Sequence, residues 1–260
     1  MQPSLRAFTL FVTGITVVAL FLMPLATPGL KAQTSNESQP FFTIELQGAY
    51  ASGFSGSMRG TNAEFVREVQ AGADYAKYPF GDPSTFGLQF GLEAAYRFRN
   101  SQFGLYSALH ATGFESLDKP TDSQFGDTAF LAMVTLGIGG EYYYDITSSV
   151  DFRGRLGVNF SRIGGNVDIG GSQITAPNTS RLGFEIGANL DWKPVSFLVF
   201  TLQAGYTNAN LIGKSYTAPT DIGLFLGNHE LNDGANPSNP SDNPKTIDFL
   251  TLGVAGGVVF

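Results

Sequence analysis

Leu250-Thr251-Leu252-Gly253-Val254-Ala255-Gly256-Gly257-Val258-Val259-Phe260 is the stretch that decides the fold. Read in steps of two it gives Leu250, Leu252, Val254, Gly256, Val258 and Phe260 on one side. Phe249, Thr251, Gly253, Ala255, Gly257 and Val259, mostly small, fall on the other. Side chains of a strand alternate between its faces, so this is a strand with one greasy face, ending on an aromatic ring. Seven further segments carry the same period-two pattern: 42–50, 86–98, 103–111, 130–144, 150–160, 182–192 and 198–206. No greasy position in them is charged. The intervening face holds Glu45, Glu93, Arg97, His110, Glu141, Asp151, Arg153, Arg155, Arg181, Glu185 and Asp191. None of the 13 prolines falls within these segments, as ladder hydrogen bonding requires.

Composition fits strands that separate two different media. The 260 residues include 32 Gly, 23 Phe and 10 Tyr but only 14% charged residues, against roughly 25% in a soluble domain. The mean hydropathy of +0.03 is far too low for a helical membrane protein. It suits a chain in which only every second strand residue meets lipid. The chain has no cysteine, which excludes disulfides, thiolate metal sites and lipoprotein attachment. At the N-terminus Arg6 precedes an uncharged stretch from Ala7 to about Leu25, with Pro24 and Pro28 breaking it and Leu30-Lys31-Ala32 as a cleavage site. Residues 1–32 are therefore expected to be a signal peptide and 33–40 a short leading segment, with the barrel domain at 41–260. Removing 1–32 takes away Arg6 and Lys31 and moves the net charge from −7 to −9, which argues against a nucleic-acid partner.

The connections alternate in length. Short ones fall at about 99–101, 145–149 and 193–196, and long ones at 54–85, 115–127, 163–179 and 209–245. Aromatic residues mark both ends of the greasy faces. Phe42, Tyr96, Phe98, Phe103, Tyr142, Tyr144, Phe152, Trp192, Phe200 and Phe260 lie at the short-turn end, and Tyr50, Phe86, Phe130, Phe160 and Tyr206 at the other. Such rings are favoured at membrane–water boundaries. The pattern predicts an all-β fold, an eight-stranded antiparallel up-and-down transmembrane β-barrel.

The unit Leu136-Gly137-Ile138-Gly139-Gly140-Glu141-Tyr142-Tyr143-Tyr144, followed by Val150-Asp151-Phe152-Arg153, together with the terminal Phe260, resembles the small eight-stranded outer-membrane barrels of the OmpA/OmpX type. The resemblance covers about residues 41–260. It implies a bacterial outer-membrane location, outer-membrane lipid as surroundings, and assembly by periplasmic chaperones and the barrel-assembly machinery, with Phe260 as the signal. It also implies a monomer with no cofactor and no metal. Short turns and both termini are expected in the periplasm, with the long loops outside, where 54–85 and 209–245 are candidates for contact with an extracellular ligand.

The inward polar residues Glu45, Glu93, Arg97, His110, Glu141, Arg153, Arg155, Arg181 and Glu185 are expected to form an interior network, because an eight-stranded barrel is just wide enough for side chains to fill. Buried charges must pair and hydrogen-bond. The competing reading is a narrow ion path, kept open by the inward glycines Gly87, Gly91, Gly137, Gly139, Gly157, Gly183, Gly187 and Gly205. Ser107, His110 and Glu115 form a nominal hydrolase trio, but positions 107 and 110 face opposite sides of a strand, so no catalytic residue is assigned. His229, Glu230 and Asp233 read as a solvated loop, and 63–69 as either a hairpin extension or one helical turn. The functional expectation is a non-enzymatic barrel with a structural, surface-interaction or weakly pore-forming role. The alternatives are a soluble lipocalin-like barrel holding a small apolar ligand and an outer-membrane lipid-modifying enzyme.

Overall fold

The structure is a computed structural model that describes residues 41–53, 86–115, 128–169, 172–215, 233–235, 237, 244 and 246–260. The expected signal peptide and leading segment, the loop 54–85 with its 63–69 stretch, residues 116–127, His229 and Glu230 lie outside the described residues. Eight strands follow one another: β1 (Phe41–Gly53), β2 (Phe86–Arg97), β3 (Phe103–Glu115), β4 (Thr128–Asp145), β5 (Val150–Ile169), β6 (Ser172–Val195), β7 (Leu198–Ile212) and β8 (Asp248–Val259). Each pairs antiparallel with the next, and β1 pairs with β8 to close the barrel. Phe42 and Phe260 bond backbone to backbone at the seam, Phe260 N donating to Phe42 O at 2.9 Å, with their rings 6.1 Å apart. Closure leaves no unpaired edge, which a strand in hydrocarbon could not tolerate.

The alternation maps onto the two faces as expected. Leu252 on the outside is 68% exposed, whereas Glu93 on the inside is 1% exposed. Leu92, Leu109, Leu136, Ile138, Leu156, Val158, Ile186 and Leu202 all stand on the outer surface. Phe42 to Tyr50 and Phe152 to Phe160 each cover nine residues, in keeping with the roughly 9–11 residues of a tilted strand that crosses a bilayer. The strands end at the short turns where the pattern places them. In the β2–β3 turn Asn100 takes a positive φ of 53°, a conformation that asparagine tolerates well.

The far ends differ from the sequence reading. Residues 163–179 are not a loop: β5 and β6 stay paired up to Ile169 and Ser172, making strands of 20 and 24 residues. Two prolines therefore lie within β6. Pro177 falls in an irregularity where the pairing jumps from Ile163–Thr179 to Gly165–Ala176. Pro194 falls where the β6–β7 register breaks, between Trp192 and Val195. Neither position supplies a regular ladder donor, which is why proline is accepted there. A second bulge lies between Leu182 and Phe184 opposite β7, and Thr207, Asn208, Ala209 and Asn210 are consecutively buried. The last connection begins only after Ile212, not at residue 209.

Candidate functional site: a charged plug and an apolar cap

All nine polar residues singled out in the sequence are buried within the barrel, and they fall into three groups. The central group is built on Arg153, the largest fully buried side chain among the described residues. β5 carries it inward between β4 and β6. Its guanidinium donates to Glu93 Oε1 at 2.9 Å, Glu141 Oε1 at 3.2 Å and Glu45 Oε1 at 2.8 Å, and lies 3.1 Å from Asp191 Oδ2. Thr201 stands between Glu45 Oε2 and Asp191 Oδ1, at 2.9 and 2.8 Å. Arg155 pairs with the other oxygen of Glu93, and its cation lies 5.5 Å from the centre of the Tyr106 ring. Tyr106 in turn donates to Glu185 at 2.8 Å. His110 joins through Gln47, whose side-chain nitrogen donates to Glu93 at 2.6 Å. The planar fork of arginine, with five donors, suits a site in which several carboxylates converge.

Two predicted members stand apart. Arg97 sits at the short-turn end and makes a bidentate pair with Asp145 at 2.7 and 2.9 Å, beneath the rings of Phe41 and Tyr143. Lys193 pairs with Asp151 near the same mouth and covers the Phe41 ring. Arg181 lies toward the far end and pairs with Asp233 at 2.8 and 2.7 Å. Asp233 also accepts from Asn210 Nδ2 at 2.9 Å and from Ser215 N at 3.0 Å, and is fully buried. The reading of Asp233 as part of a solvated loop is thus corrected. Its carboxylate is drawn inside by a guanidinium that needs a counter-charge.

The glycines are corrected too. None of the inward glycines leaves free space, because each accommodates a neighbour. A Cβ on Gly91 would strike the His110 ring, one on Gly137 would meet Glu185 at 2.5 Å, and one on Gly187 would meet Arg155 at 2.5 Å. Gly139 and Gly157 flank Tyr106 from two strands; Gly87 makes room for Phe114, Gly205 for Thr251, and Gly183 lets the Asn208 carbonyl approach at the bulge. Small residues on one strand are matched by large ones on the next, which fills a narrow barrel to the packing density of a protein interior.

The interior is not polar throughout. Ala51, Phe114, Leu131, Met133, Ile163, Ala209, Ile247 and Phe249 form a buried apolar cluster, with the Phe114 and Phe249 rings 5.2 Å apart edge to face. It lies toward the long-loop ends of the strands, beyond the charged plug. The sequence reading treated the inward face as polar or small and so missed this layer. It also missed Tyr106, Tyr143 and Gln47 as network members, although the alternation places all three inward. Ser107 faces outward and His110 inward, so the nominal trio is not brought together.

Charges inside and apolar side chains outside define a β-barrel built for a membrane: only hydrocarbon outside makes this arrangement favourable. No protein-family model and no curated protein matches the chain. Among solved structures it is similar to Neisserial surface protein A, at 15% identity over 87% of this chain and 100% of that one, with a TM-score of 0.43. It is also similar to Ail, the attachment invasion locus protein of Yersinia pestis, at 14% identity over 85% and 99%, with a TM-score of 0.44. A major outer membrane protein from Thermus thermophilus matches at 16% identity over 85% and 99%, with a TM-score of 0.44.

Proposed function

We propose that the chain is a non-enzymatic, monomeric barrel of a bacterial outer membrane, acting as a structural or surface-presenting element and not as a channel. The observation that carries this reading is the filled interior. Arg153 and its four carboxylates occupy the centre, and the Phe114–Phe249 layer closes the bore further along. Of the roles open to such a barrel, weak pore formation is the one this filling argues against. The short turns and both termini share one end, which we place in the periplasm, where chaperones and the barrel-assembly machinery would read Phe260. The long connections then face outward, and 54–85 and 209–245 are where an extracellular ligand would be met. Within the second of these, the buried Asp233 ties part of the connection to the barrel wall. A lipocalin-like carrier would need an apolar bore and a polar exterior, the reverse of what the two faces carry.

Single-channel recording tests the reading. The refolded mature chain in planar bilayers is expected to show no steps above the bilayer's own leakage at moderate voltage. A stable open level that recurs in most insertions would overturn the closed-barrel role in favour of a pore.

A further inference from the structure

Among the described strand residues, the outward face carries one well-exposed cation, Arg162. It follows Phe160 by two positions on β5, so it lies on the same face and roughly 5 Å further from the membrane centre for a strand tilted near 45°. The Phe160 ring marks the edge of the hydrocarbon, which puts the guanidinium among lipid headgroups. Val134 on β4 and Ser180 on β6 are its direct cross-strand neighbours. No carboxylate pairs with Arg162 among the described residues. On the far side of Ser180, β7 ends at Ile212, which pairs with Leu182, and Lys214 follows after Gly213 turns at a positive φ of 93°. A Cβ on Gly213 would lie 3.8 Å from the Ser180 carbonyl, so this segment stays beside β6. Lys214 Nζ reaches Thr246 Oγ1 at 3.2 Å. The outer wall thus presents a guanidinium and a hydroxyl on paired strands, with an ammonium nearby past the end of β7.

We propose that this patch binds the phosphate groups of an anionic outer-leaflet glycolipid, Arg162 holding one phosphate through its planar fork and Lys214 adding a second positive charge. The proposal rests on the outer-membrane reading above. A guanidinium placed at headgroup depth on a lipid-facing wall has a phosphate as its natural partner, and bidentate geometry favours arginine over lysine for that contact. Ser180 supplies a hydroxyl donor beside Arg162. The acidic net charge of the whole chain does not oppose this, because the binding surface is local: the acid nearest Arg162 in sequence, Asp168, lies six residues further along β5, Asp151 and Glu185 point into the bore, and Asp248 on β8 accepts from the Tyr206 hydroxyl at 3.0 Å.

Native mass spectrometry of the refolded barrel, released from neutral micelles after addition of bisphosphorylated lipid A, tests the proposal. Dephosphorylated lipid A and inorganic phosphate serve as the other arms. The wild-type barrel should retain the bisphosphorylated lipid about tenfold better than the dephosphorylated form. Arg162→Gln should cut that retention by about tenfold, Arg162→Lys by less, and Lys214→Gln by a smaller factor. Heat-modifiable gel migration confirms that each variant is folded, and Arg162→Lys keeps the test valid should the glutamine variant misfold. Equal retention of both lipids, unchanged retention in folded Arg162→Gln or, if that variant misfolds, in Arg162→Lys, or displacement of the lipid by millimolar inorganic phosphate would each overturn the proposal. Failure of the wild-type chain to insert into any micelle or bilayer would instead refute the membrane reading on which it rests.

Discussion

Arg153→Met should destabilise the refolded barrel by roughly 3–5 kcal/mol, the cost of removing one partner from a buried ion cluster. The guanidinium is the shared donor for Glu45, Glu93 and Glu141 and also neutralises Asp191, and all four acids are almost fully buried. Methionine would fill much of the volume but leave these carboxylates facing one another. Thr201, Gln47 and Tyr143 would still donate to three of them, to no benefit for the repulsion. The partner experiment combines Arg153→Met with Glu45→Gln, Glu141→Gln and Asp191→Asn. Replacing a whole buried ion cluster by neutral groups is often close to neutral in energy. The combined variant should therefore recover most of the loss. Urea unfolding in micelles, followed by gel migration, reads both. A single variant as stable as wild type would mean that the cluster is not the centre of the plug.

Leu156→Arg is expected to cost roughly 2–4 kcal/mol in a bilayer, the penalty for a cation near the midplane on a lipid face. Leu156 is exposed on the outer wall midway between Phe152 and Phe160, the rings at the two edges of the hydrocarbon, with Gly140 and Ile186 as cross-strand neighbours. On β4, Thr135 points inward and makes a 3.0 Å hydrogen bond to Ser161. At 2% exposure it leaves no room for the lysine side chain that the alternation alone would have accepted there. Thr135→Val is therefore the inward control, expected to cost about 1 kcal/mol for a lost hydrogen bond. Equilibrium folding into phospholipid vesicles ranks the two. If Thr135→Val were the more destabilising, the assignment of the two faces would be reversed.

The strands were legible in the sequence wherever one face meets lipid. Hydrocarbon tolerates no charge on that face, so the alternation in 130–144 or 150–160 is strict, and the turns between such segments are short. Past the girdle the constraint relaxes. Ile163 to Ile169 and Ser172 to Arg181 mix glycine, polar and apolar residues without period, and their pairing follows from continuation of the hairpin, not from a face pattern. Which residues point inward was also legible, since parity alone placed Glu45, Glu93, Glu141, Arg153 and Arg155 together. What they do there was not. An inward glycine is silent about the side chain that fills its space, so Gly139 and Gly157 looked like room for a pore when they are the walls around Tyr106. Phe114, Leu131, Met133 and Phe249 sit at inward positions of strands whose inner face was read as polar or small. Their clustering depends on barrel closure, because β3 and β8 are far apart in sequence. The Arg181–Asp233 pair joins residues 52 apart through a connection with no periodicity to read.

The central claim is that the greasy face of every strand is turned to lipid and the charged face inward. The direct test is the solvent in which the mature chain folds. Diluted from denaturant into micelles or bilayers, it should gain β-structure and migrate on an unheated gel as a compact species that shifts on boiling. Diluted into buffer alone, it should aggregate. A soluble, monodisperse β-protein in detergent-free buffer would contradict the account, because the outer belt of Leu92, Leu136, Ile138, Val158 and Leu252 could not then be in contact with solvent.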